Sequence, residues 1–477
     1  MKKDEEEAYT EPQMWPKPVL KFGEDRMTAL SIWLDEWLTT LIAGHDRKLR
    51  EWADEEKAYN AEPITGLTIP YEGACGDVVP LIAMGVDPIH ARLDTGIFKT
   101  DPPFRLKPLR KDLYAYSDGV ERYLNYYLKH QANFRAVASP RLLELVKHGT
   151  CVFKTCFDRA EHSIMTYDPK TWEPVKRTMR TFDGPRVYGV SIKDFLFPAQ
   201  YQDLQSCPIV AERQRLTIDV LRVAEAQGKL ANVDKIATQL STDRDVLTDE
   251  RLSSANHDDD GWARRYVEVY EIWCDYDING DGLPEHLVIT YHPGTRTFLQ
   301  LRYNWYFHQR KPYTVIQYTI ANDTMYGLGV AKMSKPMQEM LTKWHRIAND
   351  SGYLSNIRMF IGKRDDSIED VPKLYPGRGF KVDNPKEDFI PFSAADNIYP
   401  SALQERQNII GLNEKRTGIS DYLTGRESSI VGSRATATST LALIQEGTRR
   451  VEEVMENIRA GFSEILTNCL WIWMQYG

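Results

Sequence analysis

Paired cysteines, long apolar runs and an excess of positive charge are all missing from this chain of 477 residues. Its six cysteines, Cys75, Cys151, Cys156, Cys207, Cys274 and Cys469, stand far apart with no C-x-x-C pair. That spacing excludes a zinc knuckle and a disulfide scaffold and favours a reducing, intracellular site of folding. No run approaches the roughly eighteen apolar residues of a membrane helix, and the acidic stretch Met1 to Gln13 has no apolar h-region. The sequence therefore predicts neither a membrane span nor a signal peptide, and a protein soluble when made. Lys and Arg number 60 against 68 Asp and Glu, a net charge of −8. Proteins that grip nucleic acid over a broad surface are basic, so any nucleic acid here is held loosely or by local patches. Motifs for nucleotide hydrolysis, zinc proteolysis and ester hydrolysis (G-x-x-x-x-G-K-[ST], H-E-x-x-H, G-x-S-x-G) are absent as well. Gly149 to Thr155 ends in Lys154-Thr155 but lacks the second P-loop glycine and reads as a strand. No catalytic constellation stands out, and we read the chain as non-enzymatic with no required cofactor.

What is present is a globular composition, 42% apolar and 11% aromatic, enough for two to four domains. The pattern is α+β and mostly helical. Residues 1–25 form an acidic arm, and residues 26–330 an α+β domain. Within it Leu30, Trp33, Leu34, Trp37 and Leu41 recur at helical spacing, with a break expected at Gly44. Asn60 to Pro108, rich in Pro and Gly, reads as loops, with Asp77 to Ala83 extended. Helices are expected at Leu113 to His130 and Ser139 to His148, the second with Ser139 as N-cap, Pro140 at the first helical position and Gly149 after the end. Extended pieces follow at Cys151 to Phe157, Thr171 to Phe182 and Arg186 to Phe197, then a capped helix at Thr217 to Gly228 and a ragged polar stretch, Lys229 to Gly261. From Arg264 the period becomes two, and an antiparallel meander is expected over about 264–320.

The block Ala331 to Gly425 organises the rest. One amphipathic helix, 331–356, carries Met333, Met337, Met340, Leu341, Trp344, Ile347, Ala348, Ser351 and Leu354 on one face, with Ser334 as cap and Pro336 in the first turn. A Pro/Gly-rich excursion occupies 357–400, with extended pieces at Arg358 to Gly362 and Gly379 to Val382. A second helix covers 401–418, opened by a Ser401/Gln404 capping box and closed at Gly418. Neither helix looks able to bury its stripe alone, which predicts packing against copies of itself. Residues 419–434 are a Gly/Ser-rich loop. From 435 to 477 Leu441, Ile444, Val451, Met455, Ile458, Phe462, Ile465, Cys469 and Trp473 make a near-heptad helix, with a bend expected at Gly447 or Gly461. The helix reaches the last residues uncapped, so further sequence is expected after it.

The order of these parts resembles portal proteins, the head-to-tail connectors of short-tailed bacteriophages, in the group whose wing carries an Asp/Gly-rich turn. The likeness is carried by Met325-Tyr-Gly-Leu-Gly-Val330 leading into the helix with Gln338, and by Asp275-Tyr-Asp-Ile-Asn-Gly-Asp-Gly-Leu-Pro-Glu285. Thr417-Gly-Ile-Ser-Asp-Tyr-Leu-Thr-Gly425 and Ser433-Arg-Ala-Thr-Ala-Thr438 extend it, from about residue 26 onward. The resemblance implies a wing at 26–330, a two-helix stem at 331–356 and 401–418, and a clip at 357–400. It further implies a tunnel loop at 419–434 and a long wing helix at 435–477 rising toward a crown. It also implies a homo-oligomeric ring, a dodecamer, forming the DNA channel at one capsid vertex for genome packaging, tail attachment and ejection. Its partners would be the capsid protein, the terminase motor, tail or adaptor proteins and double-stranded DNA without sequence preference, with no membrane; the protein would be assembled in the host cytoplasm and sit in the virion.

Two sets of residues are candidate sites. Asp277, Asn279, Asp281 and Glu285, with Gly282 at the sharp turn, fit a nine-residue Ca²⁺ or Mg²⁺ loop of alternating oxygen ligands; a metal-free Asn/Asp/Gly hairpin turn accounts for the same residues. Lys415, Arg416, Arg426 and Arg434 flank the loop after Gly418 and could touch DNA phosphates weakly, or pair with Asp421, Glu427 or a neighbouring subunit. His257 to Asp260 reads as solvated loop, and Arg105, Lys107, Arg110 and Lys111 as a wing or interface surface. A calcium-dependent hydrolase using the acidic loop and a helical scaffold or adaptor without DNA contact are the competing functions.

Overall fold

The structure is a computed structural model that describes residues 18–63, 74–100, 103–108, 111, 114–167, 172–242, 266–356, 359–362, 389–392, 399–418 and 437–476. In chain order its elements begin with helices α1 (Glu24–Tyr59), α2 (Leu81–Phe98), α3 (Tyr114–Tyr126, extended by a π turn at Tyr127–Gln131) and α4 (Phe134–His148). Strands β1 (Thr150–Tyr167), β2 (Pro174–Val190), β3 (Phe195–Leu196) and β4 (Ile209–Thr217) follow, then α5 (Ile218–Ala226) and α6 (Val233–Thr242). Next come β5 (Tyr266–Tyr276), β6 (Glu285–His292), β7 (Thr297–Tyr303), β8 (Tyr313–Gln317), α7 (Val330–Asn356), β9 (Met359–Gly362), β10 (Phe389–Phe392), α8 (Tyr399–Thr417) and α9 (Ala437–Tyr476). The fold is α+β. It divides into two compact units, one of Met1–Ala53, His90–Gly329 and Glu453–Gly477, the other of Asp54–Ile89 and Val330–Glu452.

The first unit is built on two antiparallel sheets, ordered β2-β1-β8 and β3-β4-β5-β6-β7. The period-two run from Arg264 becomes β5, and the meander continues through β6 and β7. It stops there. The expected fourth strand, β8, leaves the meander and pairs with β1, Thr150 opposite Gln317 and Lys154 opposite Tyr313. Alternation fixes which face a strand buries but carries no information about its neighbour. Leu30, Leu34, Leu38 and Leu41 of α1 pack on one apolar face of the larger sheet with Ile272, Leu287 and Ile289.

Several helical expectations change for one reason, that tertiary burial outweighs local propensity. α1 runs unbroken through Gly44, whose cost of about 1 kcal/mol in a helix is offset by buried Leu41, His45 and Trp52 around it. Asn60 to Pro108 is not all loop: α2 forms despite Pro88 because Leu81, Ile82, Val86, Ile89 and Leu93 are all buried. α4 starts at Phe134, with Asn133 at the N-cap position, not at Ser139, because Phe134 and Ala138 are buried and hold a turn that Pro140 alone would not nucleate. Its end is as expected, Gly149 adopting φ +87°. The predicted pieces between Cys151 and Phe197 resolve into one long hairpin, β1–β2, and a short β3. α6 lies in the stretch expected to be ragged; His257 to Asp260 is outside the described residues. The Thr217 cap holds, its hydroxyl accepting from the Val220 amide. α9 continues through Gly461 without a break, and the reason for that glycine is contact: a Cβ there would stand 2.4 Å from Ile316 Cγ1.

In the second unit α8 returns alongside α7, and β9 and β10, which lie between them in the chain, pair antiparallel. α7 begins at Val330, so Ser334 and Pro336 fall inside it and Ser334 is fully buried. The expected apolar face splits in two. Leu341 packs with Leu81 and Ile409, flanked by Val79, Met337, Trp344 and Ile410. Met340 and Ile347, seven residues apart, remain 48% and 44% exposed. The chain thus buries part of the stripe itself, which the sequence reading did not anticipate. Gln338 sits in the buried part and joins two helix ends. Its Nε2 donates to the Ala58 carbonyl at 2.7 Å, and its Oε1 accepts from the Ile82 amide at 2.8 Å. The Ile82 amide is one of the donors that a helix N-terminus leaves unpaired, and the Ala58 carbonyl, in the last turn of α1, accepts also from the Ala61 amide at 3.2 Å. The pieces expected at Gly379 to Val382 and most of 357–400 lie outside the described residues.

Candidate functional site

The acidic turn joins β5 to β6. Asp277 organises it: Oδ1 accepts from the amides of Gly280 at 2.5 Å and Asp281 at 3.2 Å, and Oδ2 from that of Gly282 at 2.8 Å. Gly280 and Gly282 have φ of +75° and +89°, which the closed turn requires and which few other residues adopt cheaply. The hydrogen bonds to Gly282, Gly280 and Asp281, with help from the Arg26 charge, hold the Asp277 carboxyl below the usual range. Glu285 closes the loop from the other end, accepting from the Ile278 amide at 2.9 Å and from the Asn279 side chain. Ile278 is buried in the apolar core, and Arg26 of α1 donates to its carbonyl at 3.2 Å.

One carboxylate oxygen each from Asp277, Asp281 and Glu285 lie within 4.8 Å of one another. Three of the four residues singled out in the sequence therefore converge, and the fourth, Asn279, turns its amide nitrogen to Glu285. Chemically, three converging carboxylates suit a hard divalent cation held by oxygen. The hydrogen bonds within the turn also close it from both ends, through Asp277 and Glu285.

Of the four cations, Lys415 and Arg416 occupy the last turn of α8 and are exposed. A helix C-terminus favours positive charge, and Gly418, with φ +75°, ends the helix as expected. Arg426 and Arg434, like the whole of 419–434, lie outside the described residues.

A cluster that sequence reasoning missed lies between the two sheets of the first unit. Lys154 Nζ on β1 binds Glu212 Oε2 at 2.8 Å and Glu271 Oε2 at 2.6 Å, on β4 and β5. Tyr313, opposite Lys154 on β8, donates to Glu212 at 2.8 Å, while Gln214 and Trp273 donate to Glu271, each at 3.0 Å. Burial alone would lower the Lys154 pKa, but Glu271, Tyr313 and Glu212 push it well above the usual value. Burial likewise works against the Glu271 carboxylate, and the lysine outweighs it, holding that pKa below the usual range. The signal was a lysine inside the apolar run Cys151 to Phe157, which alternation alone could not assign a partner. Fully paired and packed, this cluster has the character of a lock between sheets.

The glycines of Met325-Tyr-Gly-Leu-Gly-Val330 are explained by close backbone approach. A Cβ on Gly327 would stand 2.2 Å from the Gly149 carbonyl oxygen, and one on Gly329 2.2 Å from that of Lys147. The Gly327 amide donates to Thr150 Oγ1 at 2.8 Å, and the Tyr318 amide to the Gly149 carbonyl at 2.9 Å.

Among the described residues no helix is long and apolar enough to cross a membrane. No curated protein matches the chain significantly. Residues 165–477 match the family model described as the phage SU10 portal protein, and that stretch holds the acidic turn, the paired glycines before α7, the α7–α8 hairpin and α9. A match over well over half of the sequence places this chain in that family of phage portal proteins, structural components of the virion.

Proposed function

We propose that the chain is the ring-forming subunit, a dodecamer by resemblance, that lines the DNA channel at one capsid vertex and serves genome packaging, tail attachment and ejection. One observation carries the reading beyond family membership: the α7–α8 hairpin keeps apolar residues exposed on more than one side. Met340 and Ile347 are exposed on α7, and on α8 Leu403 and Leu412, half a turn apart around the helix, are 43% and 53% exposed. A ring of identical subunits needs two different contact faces on each, and apolar side chains on both flanks of one hairpin supply them. In this reading the hairpin is the stem, 357–400 the clip that meets the terminase motor and later the tail, and 419–434 the tunnel loop. Lys415 and Arg416, with Arg426 and Arg434, would make a few salt-sensitive phosphate contacts per subunit. A net charge of −8 suits a channel through which DNA must slide. The assembly would form in the host cytoplasm.

Negative-stain microscopy and mass photometry of the purified full chain are expected to show closed rings with an open centre. Replacing Met340 and Ile347 by Asp is expected to raise the protein concentration needed for assembly by at least about tenfold, as burying a charge without a partner costs several kcal/mol. A chain that stays monomeric at every concentration would sink the reading.

The acidic turn is assigned within this proposal a Ca²⁺ or Mg²⁺ held by Asp277, Asp281 and Glu285, stiffening the β5–β6 hairpin; the convergence of the three carboxylates supports it. Calorimetric titration of EDTA-treated protein with Ca²⁺ should give saturable heat that Asp281→Asn weakens. No heat at millimolar ion would end the assignment.

A further inference from the structure

The β1–β2 hairpin is far longer than the sheet that supports it. β8 pairs with β1 only over Thr150 to Lys154, and β2 is the outer strand of its sheet. Further out, Phe157 still packs in the core and Tyr127 reaches Phe182 and the Pro185 carbonyl. From Ala160 to Tyr167 on β1, and from Pro174 to Phe182 on β2, the ladder holds, among the described residues, its own two strands alone. Eight residues at about 3.3 Å each make this a free arm of roughly 26 Å. Beside the exposed polar residues Glu173, Arg180 and Thr181, it leaves six large apolar side chains in the open: Ile164 38%, Met165 66%, Tyr167 66%, Trp172 77%, Val175 39% and Met179 54% exposed.

Register divides them. Met165 and Tyr167 alternate with Ile164, and Val175 and Met179, paired with Thr166 and His162, share the face of Ile164. A hairpin solvated on one side would be polar there, but here both faces carry exposed apolar residues, and among the described residues no further strand pairs with either edge. An isolated two-stranded hairpin is only marginally stable in water, and open apolar edges are the usual template for pairing with another chain.

We infer that this arm is an assembly strap, which lies against an adjacent copy of the same chain and is covered on both faces there. The inference rests on the ring reading above and adds to it a second contact, outside the α7–α8 hairpin. Area supports a second copy as the occupant. Two strands about 4.8 Å apart make a ribbon roughly 10 Å wide, so both faces of the arm and the surface that receives them amount to about 1,000 Å². That is the size at which a specific interface begins. In a head-to-tail ring every subunit donates one arm and receives one, so no arm is left exposed.

The test uses the full chain with Met165, Tyr167, Trp172 and Met179 all replaced by Ser. These positions are exposed, so circular dichroism should match the parent. The concentration for half-assembly, read by mass photometry, is expected to rise at least tenfold. As an independent readout, a photo-crosslinking amino acid in place of Trp172 in the otherwise unaltered chain should yield covalent dimers and higher ladders from pure protein. If the parent forms rings and the Ser variant assembles at the same concentration, or Trp172 crosslinks only within its own chain, the strap is wrong and the ring stands. If the parent forms no rings, both fall.

Discussion

Gly329→Ala is expected to destabilise the protein by about 3 kcal/mol or more, the upper range for overpacking a site that cannot relax. The atom the new methyl would meet, at 2.2 Å, is the Lys147 carbonyl oxygen, which belongs to the last turn of α4 and cannot move without uncapping that helix at Gly149. The same argument applies to Gly327 against the Gly149 oxygen, also at 2.2 Å. Gly44→Ala is the control of opposite sign. Gly44 has nothing within 4 Å of a built Cβ and lies within α1, so the change should stabilise by about 0.5–1 kcal/mol through helix propensity. Urea unfolding of both variants checks the pair; a Gly329→Ala midpoint equal to the parent's would mean that the two backbones do not meet.

Lys154→Met carries the second large effect, about 3–5 kcal/mol of lost stability. Glu212 and Glu271 face each other across the β4–β5 ladder, an arrangement in which like charges repel, and the substitution leaves both carboxylates without the cation between them. The dependence on pH gives the signature. Glu271 is held below its usual pKa in the folded chain, so its contribution is present above the unfolded carboxylate pKa and is lost as pH falls through the folded value. Lys154 is raised above its usual pKa, so its contribution is complete below the unfolded lysine pKa and is lost only as pH rises through the folded value. The parent's network is thus intact between the ordinary carboxylate and lysine ranges. In Lys154→Met the buried Glu271 carboxylate loses the cation that offsets its burial and takes up a proton on folding, so the variant should recover stability relative to the parent as pH falls from 7 toward 4. Replacing Glu212 and Glu271 by Gln together with Lys154→Met should restore much of the loss at neutral pH. Thermal melts across that range test both statements, and parallel parent and variant curves would remove the lysine from the argument.

Both results concern features that local pattern could not supply. Lys154 was visible as a lysine in an apolar run, but its partners come from strands 58 and 117 residues away, and the choice among carboxylates is made by which sheets stack. Gly327 and Gly329 were visible as a pair before a helix; that they face the end of α4 depends on β8 leaving the meander for β1.

By itself the sequence determined the α+β class, the period-two strands β5 to β7 and the two helices that flank residues 357–400. It also determined the Gly149 and Gly418 helix ends, the acidic turn and, through the order of its motifs, the portal resemblance. These rest on short-range physics: side-chain alternation, helical spacing, and the backbone freedom of glycine. Only the tertiary structure decided that α1 ignores Gly44 and that α2 forms across Pro88. It alone decided that β8 changes sheets, that part of the α7 stripe is covered from within, and that Gln338 ties two helix ends together. Each of these turns on burial by residues distant in the chain, a contribution of 1 kcal/mol or more per side chain that outweighs any single local preference.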